Sequence, residues 1–184
     1  QALALLSEQI RTSPGKLPAL VLCPSSLVGN WHMEAARFVP SLKTVQILKG
    51  SEAQSALDTS GADIFISSYT IMKKNIEAFM AHTYGCVILD EAQHIKNRQT
   101  QNAQAVKAVR AQHRLVLTGT PLENSVLDLW SIFDFLMPGY LGTAQDFRER
   151  YELPIAKEKN VEAQKRLARR LRPFLLRRLK KDVA

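Results

Sequence analysis

Two adjacent carboxylates close an apolar run at Val87-Ile88-Leu89-Asp90-Glu91, followed by Ala92-Gln93. A nucleoside triphosphatase needs such a pair. One carboxylate holds Mg²⁺, usually through water, and the other polarises the water that attacks the γ-phosphate. By that logic Asp90 serves the metal and Glu91 is the base. The competing reading is a strand followed by a charged turn, which is common. A second apolar run, Leu115-Val116-Leu117, leads into Thr118-Gly119-Thr120-Pro121. Gly119 permits a sharp turn, and Pro121 ends the strand geometry. Thr118 and Thr120 are candidates to hydrogen-bond the carboxylates or a phosphate. Alone, this segment reads as a plain turn with capping hydroxyls. The two signals strengthen each other, because one helix-length stretch (98–112) separates them, as in a single βαβ crossover. Such crossovers are right-handed almost without exception, so both strand ends should open on the same side of the sheet.

Two further runs end in hydroxyls. Ala19-Leu20-Val21-Leu22-Cys23 gives way to Pro24-Ser25-Ser26-Leu27, with Asn30-Trp31 beyond, and Ile64-Phe65-Ile66 gives way to Ser67-Ser68-Tyr69. These serines can cap the helices that follow. With helix N-terminal amides they can also meet a phosphate backbone.

The elements that must position these groups follow from periodicity. Five short apolar runs, at 19–23, 44–48, 63–67, 86–89 and 114–118, alternate with segments of helical spacing such as Leu27, Trp31, Ala35 and Phe38. Strands alternating with helices predict an α/β fold, a mainly parallel sheet with helices on both faces. Ligands of such sheets bind at the carboxyl ends of the strands, where all four signals lie. After Thr118 the pattern turns helical. Asn124 or Ser125 is a candidate cap for a helix through Leu127, Trp130, Phe133 and Leu136, and Pro138-Gly139 is its stop. A short helix near 146–151, a break at Pro154 and a basic helix from about Val161 complete the reading. A soft boundary near Gly142 separates an α/β lobe (1–142) from a helical basic extension (143–184).

The 184 residues, 46% hydrophobic, suffice for one domain with a core. The formal net charge of +8 is concentrated. Residues 1–162 are formally neutral, whereas the remainder holds Lys165, Arg166, Arg169, Arg170, Arg172, Arg177, Arg178, Lys180 and Lys181 against Asp182 alone. Such a segment suits nucleic acid or another polyanion, or equally a face that pairs with acids elsewhere. No apolar run approaches the roughly 20 residues that span a bilayer, and no signal peptide is visible. Cys23 and Cys86 sit within apolar runs and read as small buried hydrophobes in a reducing compartment. His32, His82, His94 and His113 show no paired ligand spacing. No G-x-x-x-x-G-K-[ST] loop is present: Gly15-Lys16 is followed by Leu17 rather than a hydroxyl. Gln1 opens directly into a helical pattern, so the chain reads as an internal segment.

Asp90-Glu91-Ala92-Gln93-His94-Ile95-Lys96-Asn97 and Leu117-Thr118-Gly119-Thr120-Pro121-Leu122-Glu123-Asn124 resemble motifs two and three of the Swi/Snf-type ATPases of the second helicase superfamily. Residues 21–31 resemble that family's motif Ia, residues 66–69 its next motif, residues 1–6 the helix after its phosphate loop, and residues 173–183 the segment leaving the first lobe. The resemblance covers essentially the whole chain. The Thr-Gly-Thr-Pro run differs from the Ser-Ala-Thr usual in RNA helicases. The resemblance implies a RecA-like first lobe of the P-loop NTPase type, in a two-lobed motor using ATP and Mg²⁺ on double-stranded DNA. It implies that Asp90 serves Mg²⁺ through water and Glu91 activates water. Gln93, Thr118, Gly119 and Thr120 would couple ATP to DNA, and Pro24, Ser25, Ser26 and Ser67 would lie near the tracked strand. Arg177, Arg178, Lys180 and Lys181 are further candidates for DNA contact. The partners implied are duplex DNA and a second RecA-like lobe, with no membrane. The location implied is nuclear in a eukaryote, cytoplasm or nucleoid otherwise. Lacking the phosphate loop and the later motifs, the chain alone is expected to be inactive. A catalytically dead DNA- or protein-binding module and an RNA-directed helicase are the competing readings.

Overall fold

The computed structural model describes residues 1–12, 15–119 and 126–176. Among them five strands form one wholly parallel sheet: β1 (Ala19–Cys23), β2 (Thr44–Ile47), β3 (Ile64–Ser68), β4 (Thr83–Leu89) and β5 (Arg110–Val116), in the order β2-β3-β1-β4-β5. Helices α1 (Ala2–Thr12) and α2 (Val28–Phe38) cover one face. Helices α3 (Gly50–Thr59), α4 (Tyr69–Lys74), α5 (Ile76–Met80), α6 (Gln101–Ala108) and α7 (Val126–Leu136) cover the other.

The continuous apolar runs are explained by this double cover. In β1, Leu20 and Leu22 point into one core while Ala19, Val21 and Cys23 point into the other. In β4, Val87 and Leu89 oppose Cys86 and Ile88 in the same way. A strand buried on both sides has no polar face to alternate with. Each such Leu or Ile contributes about 1.5–3 kcal/mol relative to exposure. Both cysteines are buried and unpaired, as the apolar runs indicate. Burial pushes the Cys23 thiol up to about 12 and Cys86 to about 11.

The expected strands are all present, with shifted ends. β3 starts and stops one residue later than expected, and β4 begins at Thr83. β5 differs most: it spans Arg110–Val116 rather than 114–118. It is an edge strand, and Arg110, Gln112 and His113 leave its first half without the apolar signature of a strand. The preceding helix is correspondingly short and is capped by Thr100, whose hydroxyl accepts from Ala103 N–H at 3.2 Å.

A third core joins α7 to the extension. Trp130, Phe133, Leu141, Phe147, Tyr151, Leu167 and Leu171 pack together, contributed by α7, the turn that follows it, α8 (Ala144–Phe147), a π-helical turn (Arg148–Glu152) and α10 (Val161–Leu171). Pro154 does not break the chain here. It occupies the first turn of α9 (Leu153–Glu158), which continues directly from the π-helical turn through the helical backbone of Glu152 and Leu153. α10 is capped by Asn160, whose Oδ1 accepts from Ala163 N–H at 3.0 Å. The expected caps of α7, Asn124 and Ser125, lie outside the described residues. No helix among the described residues is long and apolar enough to cross a membrane.

Candidate nucleotide and nucleic-acid site

The backbone fixes the carboxylates before any side chain acts. Asp90 N–H donates to Leu22 O at 2.8 Å, extending the β1–β4 ladder by one residue. On the other side Leu117 N–H donates to Leu89 O at 2.8 Å, and Ala92 N–H to Leu117 O at 3.1 Å. Asp90 and Glu91 are therefore held at the carboxyl edge, between the ends of β1 and β5. Glu91 adopts a left-handed conformation with φ 52°, which is uncommon for a residue with a Cβ. That reversal turns the chain into a 3₁₀ turn at Ala92–Ile95, anchored by the fully buried Ala92 and Ile95.

Each oxygen of the Asp90 carboxylate accepts one hydrogen bond. Trp31 Nε1–H donates to Oδ2 at 2.8 Å, and Glu91 N–H donates to Oδ1 at 2.9 Å. The Tyr69 hydroxyl donates to the Asp90 carbonyl at 2.7 Å. Burial first, and then the charge of Asp90, push the Tyr69 phenol well above its ordinary pKa, so it stays a donor. His94 stacks on the Tyr69 ring at 5.2 Å. The Glu91 carboxylate belongs to a second chain of contacts: Gln93 Nε2 donates to Glu91 Oε2 at 2.8 Å, and Thr118 Oγ1 donates to Gln93 Oε1 at 3.4 Å. The ends of β4 and β5 thus meet through Glu91, Gln93 and Thr118, as the crossover argument requires.

These donors suit Mg²⁺, which is ordinarily held by one or two carboxylates, with substrate phosphates and water completing the shell. Among the described residues no three His, Cys, Asp or Glu side chains gather into an all-protein metal cage.

The two serine turns separate. Ser25 and Ser26 are exposed and form a 3₁₀ turn (Ser25–Leu27) that precedes α2. Neither hydroxyl caps it, contrary to expectation: Pro24 and Leu27 stand at the cap positions, with no side-chain bond. Ser67 is fully buried, and its hydroxyl donates to Ile47 O at 3.2 Å. Ser67, expected near a tracked strand, faces inward here, because β2 lies alongside β3 at that point. Ser68 caps α4 by accepting from Ile71 N–H at 3.2 Å.

Of the remaining candidates, Gly119 is exposed beside Thr118, while Thr120, Arg177, Arg178, Lys180 and Lys181 lie outside the described residues. Within α10 two cations are structural. Arg170 Nη2 donates to Tyr140 O at 2.6 Å with its guanidinium 5.0 Å from the Tyr140 ring, and Arg166 lies 5.5 Å from the Tyr151 ring. Arg169 and Arg172 are exposed. Sequence reasoning missed Trp31 and Tyr69 as site residues. Both close motif-like segments in the sequence, but neither carries a role there, and the polar N–H and O–H were the signals available.

The SNF2-related domain family matches residues 1–184. The TATA-binding protein-associated factor MOT1 of Saccharomyces cerevisiae is 43% identical over 180 residues, covering 91% of this chain and 10% of that protein. The putative ATP-dependent helicase/translocase YwqA of Bacillus subtilis is 39% identical over 171 residues, covering 91% of this chain and 18% of that protein. The chain therefore spans less than a fifth of the length of these relatives. Among solved structures, the Sulfolobus solfataricus SWI2/SNF2 ATPase core in complex with double-stranded DNA superposes with TM-score 0.88 at 35% identity, covering 99% of this chain and 38% of that one. The same core domain described without DNA gives 0.78 at 33% identity, covering 98% and 36%.

Proposed function

The chain belongs to the SNF2-related family, and from that premise we propose that it forms the RecA-like first lobe of an ATP-dependent motor acting on double-stranded DNA. The observation that carries this reading is the paired carboxylate at the carboxyl edge of a parallel sheet, joined through Gln93 to Thr118 just past the end of the next strand. Asp90 would help hold Mg²⁺, and Glu91 would act as general base toward the attacking water. The Mg²⁺ would supply charge neutralisation at the transferred phosphate. The residues of this chain orient the base and report its state to the β5 end.

Duplex DNA would lie against the exposed Ser25–Ser26 turn beside Pro24. Ser67 would support that surface from beneath by fixing the end of β3. Thr120 and the cations Arg177, Arg178, Lys180 and Lys181 complete the proposed contacts. Residues 1–142 would bear the carboxylate edge, and residues 143–184 would carry the basic extension toward a second lobe, with a division near Gly142. The phosphate-cradling loop and the second lobe would be supplied by the longer protein.

The test is ATP hydrolysis by the full-length protein, with and without duplex DNA, beside its Glu91→Gln variant. Stimulation by duplex DNA that vanishes in the variant supports the motor. Hydrolysis stimulated by RNA alone would replace the substrate, and no hydrolysis under any condition would leave a binding module.

A further inference from the structure

Building on the motor reading, we infer that Trp31 is a positioning residue for Asp90 and ties the exposed Pro24–Ser26 turn to the metal-side carboxylate. The Asp90 carboxylate is oriented by two donors of different kinds. Glu91 N–H is backbone and stays with the β4 turn. Trp31 Nε1–H is the only side-chain donor to that carboxylate among the contacts described, at 2.8 Å, and it reaches across 59 positions of sequence from α2. Its ring packs against the core beneath α2, so the donor moves with the helix rather than swinging alone.

α2 itself continues from the Ser25–Leu27 turn without interruption, since Leu27 and Val28 both have right-handed helical backbone angles. A displacement at Ser25 or Ser26 is thus delivered along one rigid element to the Asp90 Oδ2 atom. Tyr69 makes the parallel connection. It opens α4 directly behind Ser67 and Ser68, and its hydroxyl fixes the Asp90 carbonyl rather than the carboxylate. The two serine turns therefore converge on one aspartate, the first through its side chain and the second through its backbone. Groups that orient a metal-side ligand commonly change metal affinity about 10–100-fold when removed. A coupling of this kind must also be reciprocal between the two ligands that share it.

The test uses the full-length protein with a non-hydrolysable ATP analogue and Mn²⁺ as the probe, free Mn²⁺ being counted by electron paramagnetic resonance. Trp31→Phe keeps a ring in the core and removes the donor. The expected result is a Mn²⁺ midpoint raised about 10–100-fold, with metal-free binding of the analogue unchanged. Duplex DNA should tighten Mn²⁺ in the parent protein and lose that effect in Trp31→Phe. Tyr69→Phe should act in the same direction more weakly. Trp130→Phe, which removes an indole N–H bonded to Gly142 O far along the chain, should leave the midpoint in place. An unchanged midpoint in a folded Trp31→Phe protein overturns the inference, as does an equal shift in Trp130→Phe. A parent protein that neither hydrolyses ATP nor takes up Mn²⁺ with the analogue defeats the motor reading itself, and this is seen before any variant is made.

Discussion

At the carboxyl edge of the sheet, the two carboxylates and the groups beside them answer to named partners: Asp90 to Trp31, Glu91 to Gln93, Gln93 to Thr118. On α10 the cations divide instead. Arg170, half-buried, donates to the Tyr140 carbonyl and lies over its ring, and the exposed Arg166 lies over the Tyr151 ring, while Arg169 and, just past the helix, Arg172 face solvent. The first arrangement depends on position, so removing one atom should end the chemistry and spare the fold. The second depends on charge and packing, so its residues should trade affinity or stability by degrees. The difference teaches that charge density alone does not identify a binding residue, since one arginine of the helix is committed to packing while its neighbour faces solvent.

The sharpest test of that contrast is Glu91→Gln. Turnover should fall about 10²–10⁴-fold, the contribution of a general base, while nucleotide binding and the thermal unfolding midpoint of the protein hold. Loss of folding along with turnover would erase the distinction between the two regions. Next in size is neutralisation of Arg177, Arg178, Lys180 and Lys181 together. If all four meet phosphates, the slope of log K for duplex DNA against log salt should flatten by about 3–4. An unchanged slope in a salt titration would assign them to contacts within the protein. Arg170→Ala should lower stability by about 1–2 kcal/mol through its lost hydrogen bond and ring contact, read by chemical denaturation, with the KM for ATP unmoved. The smallest effect concerns pH. The thiols of Cys23 and Cys86 are raised by burial, so the neutral forms are favoured in the folded state. Their stabilising contribution is complete below the ordinary thiol pKa and is lost as pH rises toward about 11 and 12. Denaturation curves at pH 7 and 8 should agree on this account, and native alkylation of either thiol should be slow until the protein unfolds.

Legibility in the sequence followed burial. β1 and the end of β4 were readable because both faces are covered, which leaves an apolar run with no competing explanation. The first half of β5 was not, because an edge strand can be written in Arg, Gln and His. Asp90 and Glu91 were visible from type and spacing. Ser25 and Ser67 looked alike, as hydroxyls just past an apolar run. Their difference comes from a neighbouring strand: β2 offers the Ile47 carbonyl to Ser67, and no local pattern encodes that. Pro154 misled for a related reason. Proline usually stops a helix it interrupts, but here a π-helical turn leads into it and the helical backbone continues past it.

α7 sits between two cores. Ile132 and Phe135 are buried under the sheet, and Trp130 and Phe133 are buried against the extension. Between them the fully buried Ser131 hydroxyl donates to the Ile95 carbonyl at 2.7 Å, at the end of the turn that carries the carboxylates. A helix gripped on both sides cannot leave one core and stay in the other. The sheet and the extension should consequently melt as one cooperative unit, with α7 amides among the last to exchange with deuterated solvent.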